Sequence, residues 1–221
     1  MPRSSLAVPA TLHASLLGRL DRLGPSAKNV AQVGAAIGRD FSHELLAAAV
    51  QLAEPELQEA LRRLVEAGLV FQRGAPPAAE YLFKHALVQD TAYSTLLRGR
   101  RQELHARVAA VLEAHFADLV ERQPELMAHH LTGAGQTHQA VNQWLKAGQQ
   151  AALRSANREA VAHFRKGLDI LAALPEGPQR DSVEMGIQMA WTLLVGDQGK
   201  QASRHGPNLC AGVGALSAAW G

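Results

Sequence analysis

Ten histidines give this chain its largest supply of groups that could do chemistry. His129, His130 and His138 lie close together in sequence and could be imagined around a metal ion. However, adjacent helical residues point about 100° apart, and no cysteine or acidic partner in that stretch completes a ligand set. No metal site is assigned. His85, His105 and His115 read as polar positions at the edges of packed helices. Gly199-Lys200 looks like the end of a phosphate-binding loop, but that motif needs four residues between its glycines and Ser or Thr after the lysine. Here two residues separate Gly196 from Gly199, and Gln201 follows. There is no Gly-x-Ser-x-Gly elbow, and Cys210, the only cysteine, is a poor nucleophile. Asp90 and Glu103 have no evident carboxylate partner. The residues predict no catalytic group, no cofactor and no metal, so the chain is not expected to be an enzyme in its own right.

The whole chain agrees with that reading. Its 221 residues are enough for one or two domains with real cores. Apolar residues make up 47% and charged residues 19%, the balance of a folding chain. A formal net charge of +2 is too small to argue for nucleic acid or an anionic membrane. A single cysteine suits a reducing cytoplasm, and no apolar run approaches the roughly 18 residues of a membrane span. Leu12, Leu16, Leu20 and Leu23 form a helical stripe, which is preferred to a targeting peptide for the N-terminal stretch.

The elements that would have to position any site follow from periodicity and punctuation. Thr11 to Leu23 reads as a first helix, stopped by Gly24-Pro25. Ser26 is a plausible cap for a second, Ala27 to Ile37. Ser42 could cap a third from His43 to about Leu52. Glu54 and Pro55 open a fourth, ended by Gly68, with Leu57, Leu61, Leu64 and Val65 inward. Leu69 to Phe71 and Tyr81 to Phe83 read as two short strands around a Pro76-Pro77 loop. Three helices followed by a two-stranded wing is the order expected of a winged helix. The wing is expected to end in a helix over Lys84 to Leu97. Helices are then expected over Arg100 to Phe116, Glu125 to Leu131, Thr137 to Arg154, and from Ser155 or Asn157 to about Leu174.

The last two carry a repeat signature. Trp144, Gly148, Ala160 and Phe164 are spaced by 4, 12 and 4 residues, the tetratricopeptide pattern in which small residues let two helices approach and large ones fill between turns. Asp181 to Leu194 could begin a second unit, with Val183, Ile187, Trp191 and Leu194 on one side. Residues 196–221 are glycine-rich and read as a poorly ordered tail.

A winged helix raises DNA binding, with its third helix in the major groove. Between Glu54 and Glu66, however, four glutamates stand against Arg62 and Arg63, a poor face for a polyanion. A more basic run, Arg98, Arg100, Arg101 and Arg107, could meet an acidic protein surface or simply be solvated.

Several stretches resemble one family. VPATLHASLLGRLDRL (8–23), VAQVGAAIGRDFSHELL (30–46), LRRLVEAGLVFQRG (61–74), YLFKHALVQDTAYSTLL (81–97) and RQELHARVAAVLE (101–113) are similar to bacterial signal-transduction ATPases of the STAND type, closest to those joined to a class III adenylate/guanylate cyclase. The resemblance implies a regulatory piece, winged helix then tetratricopeptide repeats, whose cyclase and phosphate-loop residues match no position here. In such proteins the winged helix relays conformation and the repeats receive a signal from another protein. The family would continue with further repeats where this chain turns glycine-rich, which a truncated or frameshifted end would explain.

The expected fold is therefore mainly α. It comprises an N-terminal helix (1–24), a winged helix with a small two-stranded β wing (25–97), a helical connector (98–135), tetratricopeptide-like α-α hairpins (136–195) and a tail (196–221). The expected function is that of a non-catalytic regulatory and protein-interaction fragment of a cyclase-linked signalling ATPase, cytoplasmic and without membrane or specific nucleic-acid partners. Its repeats would bind protein or self-associate, with Arg98, Arg100, Arg101, Arg107, Ile187 and Trp191 as candidate partner surface. The alternative is a winged-helix DNA-binding transcriptional regulator.

Overall fold

The computed structural model describes residues 10–172, 177, 180–181 and 184–189. The fold is mainly α with one small antiparallel sheet. The described residues fall into two compact units. One comprises those up to Arg122 together with His129–Gln136; the other comprises Gln123–Ala128 and those from Thr137 onward.

The first unit is built around α2 (Pro25–Ile37), whose alanines, Val30, Val33 and Ile37 are buried on most of its circumference. Small residues on every side let many neighbours approach it. It packs against α1 (Ala10–Arg22), β1 (Asp40–Ser42), α3 (His43–Val50), α4 (Glu54–Glu66), α5 (Ala86–Ser94) and α6 (Arg98–His115). The helix starts at Pro25, where the missing N–H is no loss, so Ser26 is not its cap. Instead the Ser26 hydroxyl donates to Glu56 Oε1 at 2.6 Å, tying α2 to the start of α4. Ser42 does cap α3: its Oγ accepts from Leu45 N at 3.2 Å.

The sheet has three strands, not the two expected, in the order β1-β3-β2, with β2 at Val70–Arg73 and β3 at Glu80–Phe83. β1 pairs Asp40 with Leu82 and Ser42 with Glu80, so the strand that sequence reasoning missed joins the hairpin on its far edge. Period-two alternation in β3 buries Tyr81 and Phe83 and exposes Glu80 and Leu82. Phe41 of β1 stacks on Tyr81 at 5.8 Å and tilts against Phe83 at 5.6 Å. That aromatic group sits on Gly34 of α2, where an added Cβ would lie 2.8 Å from the Phe41 ring.

The turn from α4 into β2 is a Schellman close. Gly68 has φ +65, its N–H donates to Val65 O at 2.9 Å, and Leu69 N–H donates to Leu64 O at 3.1 Å. Lys84 N then donates to Leu69 O at 3.0 Å, which locks the hairpin to that turn just before α5. Residues 98–115, expected as part of a connector, pack through buried Leu104, Val108 and Leu112, and α2 and α3 supply the apolar cover. α7 (Ala117–Arg122), which no sequence signal marked, buries nothing.

α8 (Pro124–Ala134) is divided: its residues up to Ala128 belong to the second unit and those from His129 to the first. In the second unit α9 (Thr137–Leu153) and α10 (Asn157–Leu171) form a closely packed pair. Gly148 faces Phe164, and Gly167 faces Trp144, so the two helices run antiparallel. Residues 184–189 are helical and pack on this pair through Ile187. The expectations for Pro175, Val183, Trp191, Leu194 and the 196–221 tail fall outside the described residues.

Candidate functional site

The four residues of the expected repeat signature lie together in the second unit. Trp144, Gly148, Ala160 and Phe164 are all buried. A Cβ at Gly148 would overlap the Phe164 ring, which itself sits among Val141, Ala151, Ala160, Leu171 and Ile187. Trp144 packs with Ala128 and Ala147. Its ring stacks on His163 at 5.5 Å, and Lys166 Nζ lies 4.4 Å from its centroid. Burial holds the His163 imidazole below its ordinary pKa. Gly167 leaves room for the next helix: a Cβ there would be 3.3 Å from Ile187 Cδ1.

Ile187, expected on a partner surface, is therefore buried instead. It is 0% exposed because α9 and α10 already cover it. The apolar side chains that this helix presents outward are Met185 and Met189, 59% and 63% exposed. Trp191 lies outside the described residues.

The basic run divides in two. Arg101 is turned back onto α5: its Nε donates to Leu96 O at 2.9 Å, its Nη2 to Ser94 O at 3.2 Å, and the guanidinium lies 4.7 Å from the Tyr93 centroid. Arg107 donates to Ala49 O at 3.2 Å near the end of α3. Both arginines thus satisfy carbonyls that a helix end leaves unpaired, a structural role in place of the surface role expected. Arg98 and Arg100 stay on the surface, with Arg100 paired to Glu103 at 3.1 Å.

The α4 face is decided by its own ion pairs. Arg62 binds Glu59 at 2.8 Å and also Glu66, and Arg63 binds Glu59 at 2.8 Å. Hydrogen bonds from the two arginines hold the Glu59 carboxyl down at about 2. Glu54, accepting from Gln58 and facing His43 at 2.9 Å, is also held below its usual value.

The histidines hold one arrangement that sequence reasoning missed. His105, expected at a packing edge, is buried in the first unit. Tyr93 Oη lies 2.9 Å from its Nε2, and His130 Nδ1 lies 3.0 Å from its Nδ1. Desolvation pushes His105 down to about 4 and His130 to about 3, reinforced in both by His129 and by Arg101 at His105. Both rings are neutral at ordinary pH. The only hint in the sequence was the His129-His130 doublet, whose members point apart so that one is buried and the other exposed. Among the described residues, no three His, Cys, Asp or Glu side chains converge as metal ligands, and no helix is long and apolar enough to cross a membrane.

No protein-family model matches the chain, and no solved structure matches it. It is similar to a protein of Rhizobium meliloti (strain 1021) described as uncharacterized, 28% identical over 192 residues that cover 86% of this chain. The chain spans about a fifth of that relative's length, 19%.

Proposed function

We propose that the chain is a non-catalytic regulatory and protein-interaction module of a longer signalling protein of the STAND ATPase kind linked to a cyclase. In this reading residues 25–97 form a winged helix that relays conformation, and the tetratricopeptide-like helices offer the partner surface. The observation that carries it is the committed charge of α4. In a winged-helix reader that helix enters the major groove and its cations meet phosphates. Here both arginines are held by Glu59 and Glu66 on the same helix, and the face offered outward is acidic. The much greater length of the Rhizobium meliloti relative is in keeping with a module of a larger protein. The exposed Met185 and Met189 replace Ile187 as the apolar part of the proposed partner surface, since flexible thioethers suit adaptable contacts.

The second reading, a DNA-binding regulator, draws on the helix-helix-helix-hairpin order and on Arg73 and Lys84 at the hairpin. Selection from randomised duplexes at physiological salt separates the two. The module reading expects no enriched sequence, and a site recovered reproducibly with nanomolar affinity would replace it with the DNA reading. ATP hydrolysis or cyclic nucleotide synthesis that co-purifies with the chain would overturn the non-catalytic part.

A further inference from the structure

The buried histidine pair is not used by any of these roles, and its hydrogen bonding is unusual. An Nδ1 to Nδ1 contact of 3.0 Å requires that only one of the two nitrogens carry a proton. If Tyr93 donates to His105 Nε2, then His105 Nδ1 donates to His130 Nδ1, and His130 carries its own proton on Nε2. If the direction is reversed, His130 Nδ1 donates to His105 Nδ1, His105 Nε2 donates to Tyr93 Oη, and His130 Nε2 is a bare lone pair. In either case His130 Nε2 is buried and has no hydrogen-bond partner among the described residues. Gly133, one turn along α8, lets that helix lie directly on the ring: a Cβ there would be 2.5 Å from His105 Cγ.

We propose that this pair is a proton-operated latch, holding the 129–134 part of α8 on His105 of α6 while both rings are neutral and releasing it when protons are taken up. The first added proton leaves a charged ring with an unpaired N–H in the interior. The second turns the Nδ1 contact into two N–H groups facing each other. Arg101 and His129 oppose both steps, while the Tyr93 hydroxyl can turn to accept from His105 Nε2. Tyr93 faces them from α5, Arg101 lies beside His105 on α6, and His129 lies beside His130 on α8, with ring centroids 5.4 Å and 5.3 Å from His105 and His130. The pull of the solvent-exposed state supplies the drive, because a hydrated imidazole takes its proton near 6.5, whereas the buried rings wait until about 4 and 3.

The sign follows from linkage. Folded values below the unfolded one mean that the opened state binds more protons, so the latch is fully closed above pH 6.5 and weakens as pH falls below it. With two rings exposed on opening, the opening constant should rise ~100-fold between pH 7.5 and pH 5.5. Hydrogen-deuterium exchange of the full chain, corrected for intrinsic rates, tests this. Protection of 129–134 should fall about 100-fold relative to α2. His130→Leu should reduce that change to about 10-fold. Imidazole resonances of the wild-type chain supply a second reading that needs no variant: His105 and His130 should remain neutral at pH 5.5. Titration of either ring at 6.5 or above, unchanged protection of 129–134, or equal loss of protection in α2 would each overturn the latch.

Discussion

Gly148 gives the sharpest test of the packing in the second unit. Alanine at this position raises helix propensity by about 1 kcal/mol, so on an isolated helix the change would stabilise. In this protein the new methyl would overlap three atoms of the Phe164 ring. That ring has little room to retreat, because it is buried in one core cluster with Val141, Ala151, Ala160, Leu171 and Ile187. Overpacking of this kind costs about 1–3 kcal/mol, and the enclosure puts this case at the upper end. Gly148→Ala should therefore destabilise the chain by about 2 kcal/mol once the propensity gain is subtracted. In a Phe164→Leu background the flat ring is gone and the shorter side chain can turn aside. There the same methyl should stabilise by up to about 1 kcal/mol. The double-mutant cycle should give a coupling of about 2–3 kcal/mol. Urea unfolding followed by far-UV circular dichroism measures all four proteins. A neutral or stabilising Gly148→Ala in the wild-type background, or a coupling near zero, would show that the two helices do not meet through this pair.

Ser155 adopts φ +59 just past the end of α9, with Ser155 N donating to Ala152 O and Ala156 N to Ala151 O at 2.9 Å each, so Ser155→Gly should stabilise by about 0.5–1 kcal/mol in the same unfolding assay. Replacing Glu59 and Glu66 by glutamine frees Arg62 and Arg63, and anisotropy with a labelled duplex at low salt should show tighter, sequence-independent binding than wild type. Changing Met185 and Met189 to glutamine should lower self-association across a dilution series in light scattering, and an unchanged mass would remove that helix from the partner surface.

Local signals were legible wherever a residue acts on its own neighbours. Ser42 announces a cap, Pro55 an N-terminal turn, Gly68 a helix stop, and Tyr81 with Phe83 a half-buried strand. Each works within four or five residues, where sequence order and spatial order agree. What failed was what depends on a distant partner. Asp40–Ser42 is a strand only because β3 lies beside it about forty residues later, and three residues cannot show a period. Arg101 and Arg107 looked like surface charge because their acceptors are carbonyls of other helix ends, one of them 58 residues away. His105 looked like an edge residue because its partner, His130, lies 25 residues further on. The hydrogen bond between them is invisible to any reading of one helix at a time.

The glycines inside helices were the readable trace of these hidden contacts. Each costs its helix about 1 kcal/mol relative to alanine, and at Gly34, Gly133 and Gly148 a ring from elsewhere occupies the space a methyl would take: Phe41, His105 and Phe164. Gly167 admits Ile187 and the Trp144 Cβ instead. Gly18, by contrast, has nothing within 4 Å of its missing Cβ, so the same residue type there carries no packing role. A glycine in a helical period thus marks a place left open to close approach, and only the identity of the incoming group turns the mark into a site. At Gly148 the group is a phenyl ring, and the consequence is packing alone. At Gly133 it is an imidazole already sharing a proton with His130, so the same backbone device brings α8 against a group whose charge depends on pH.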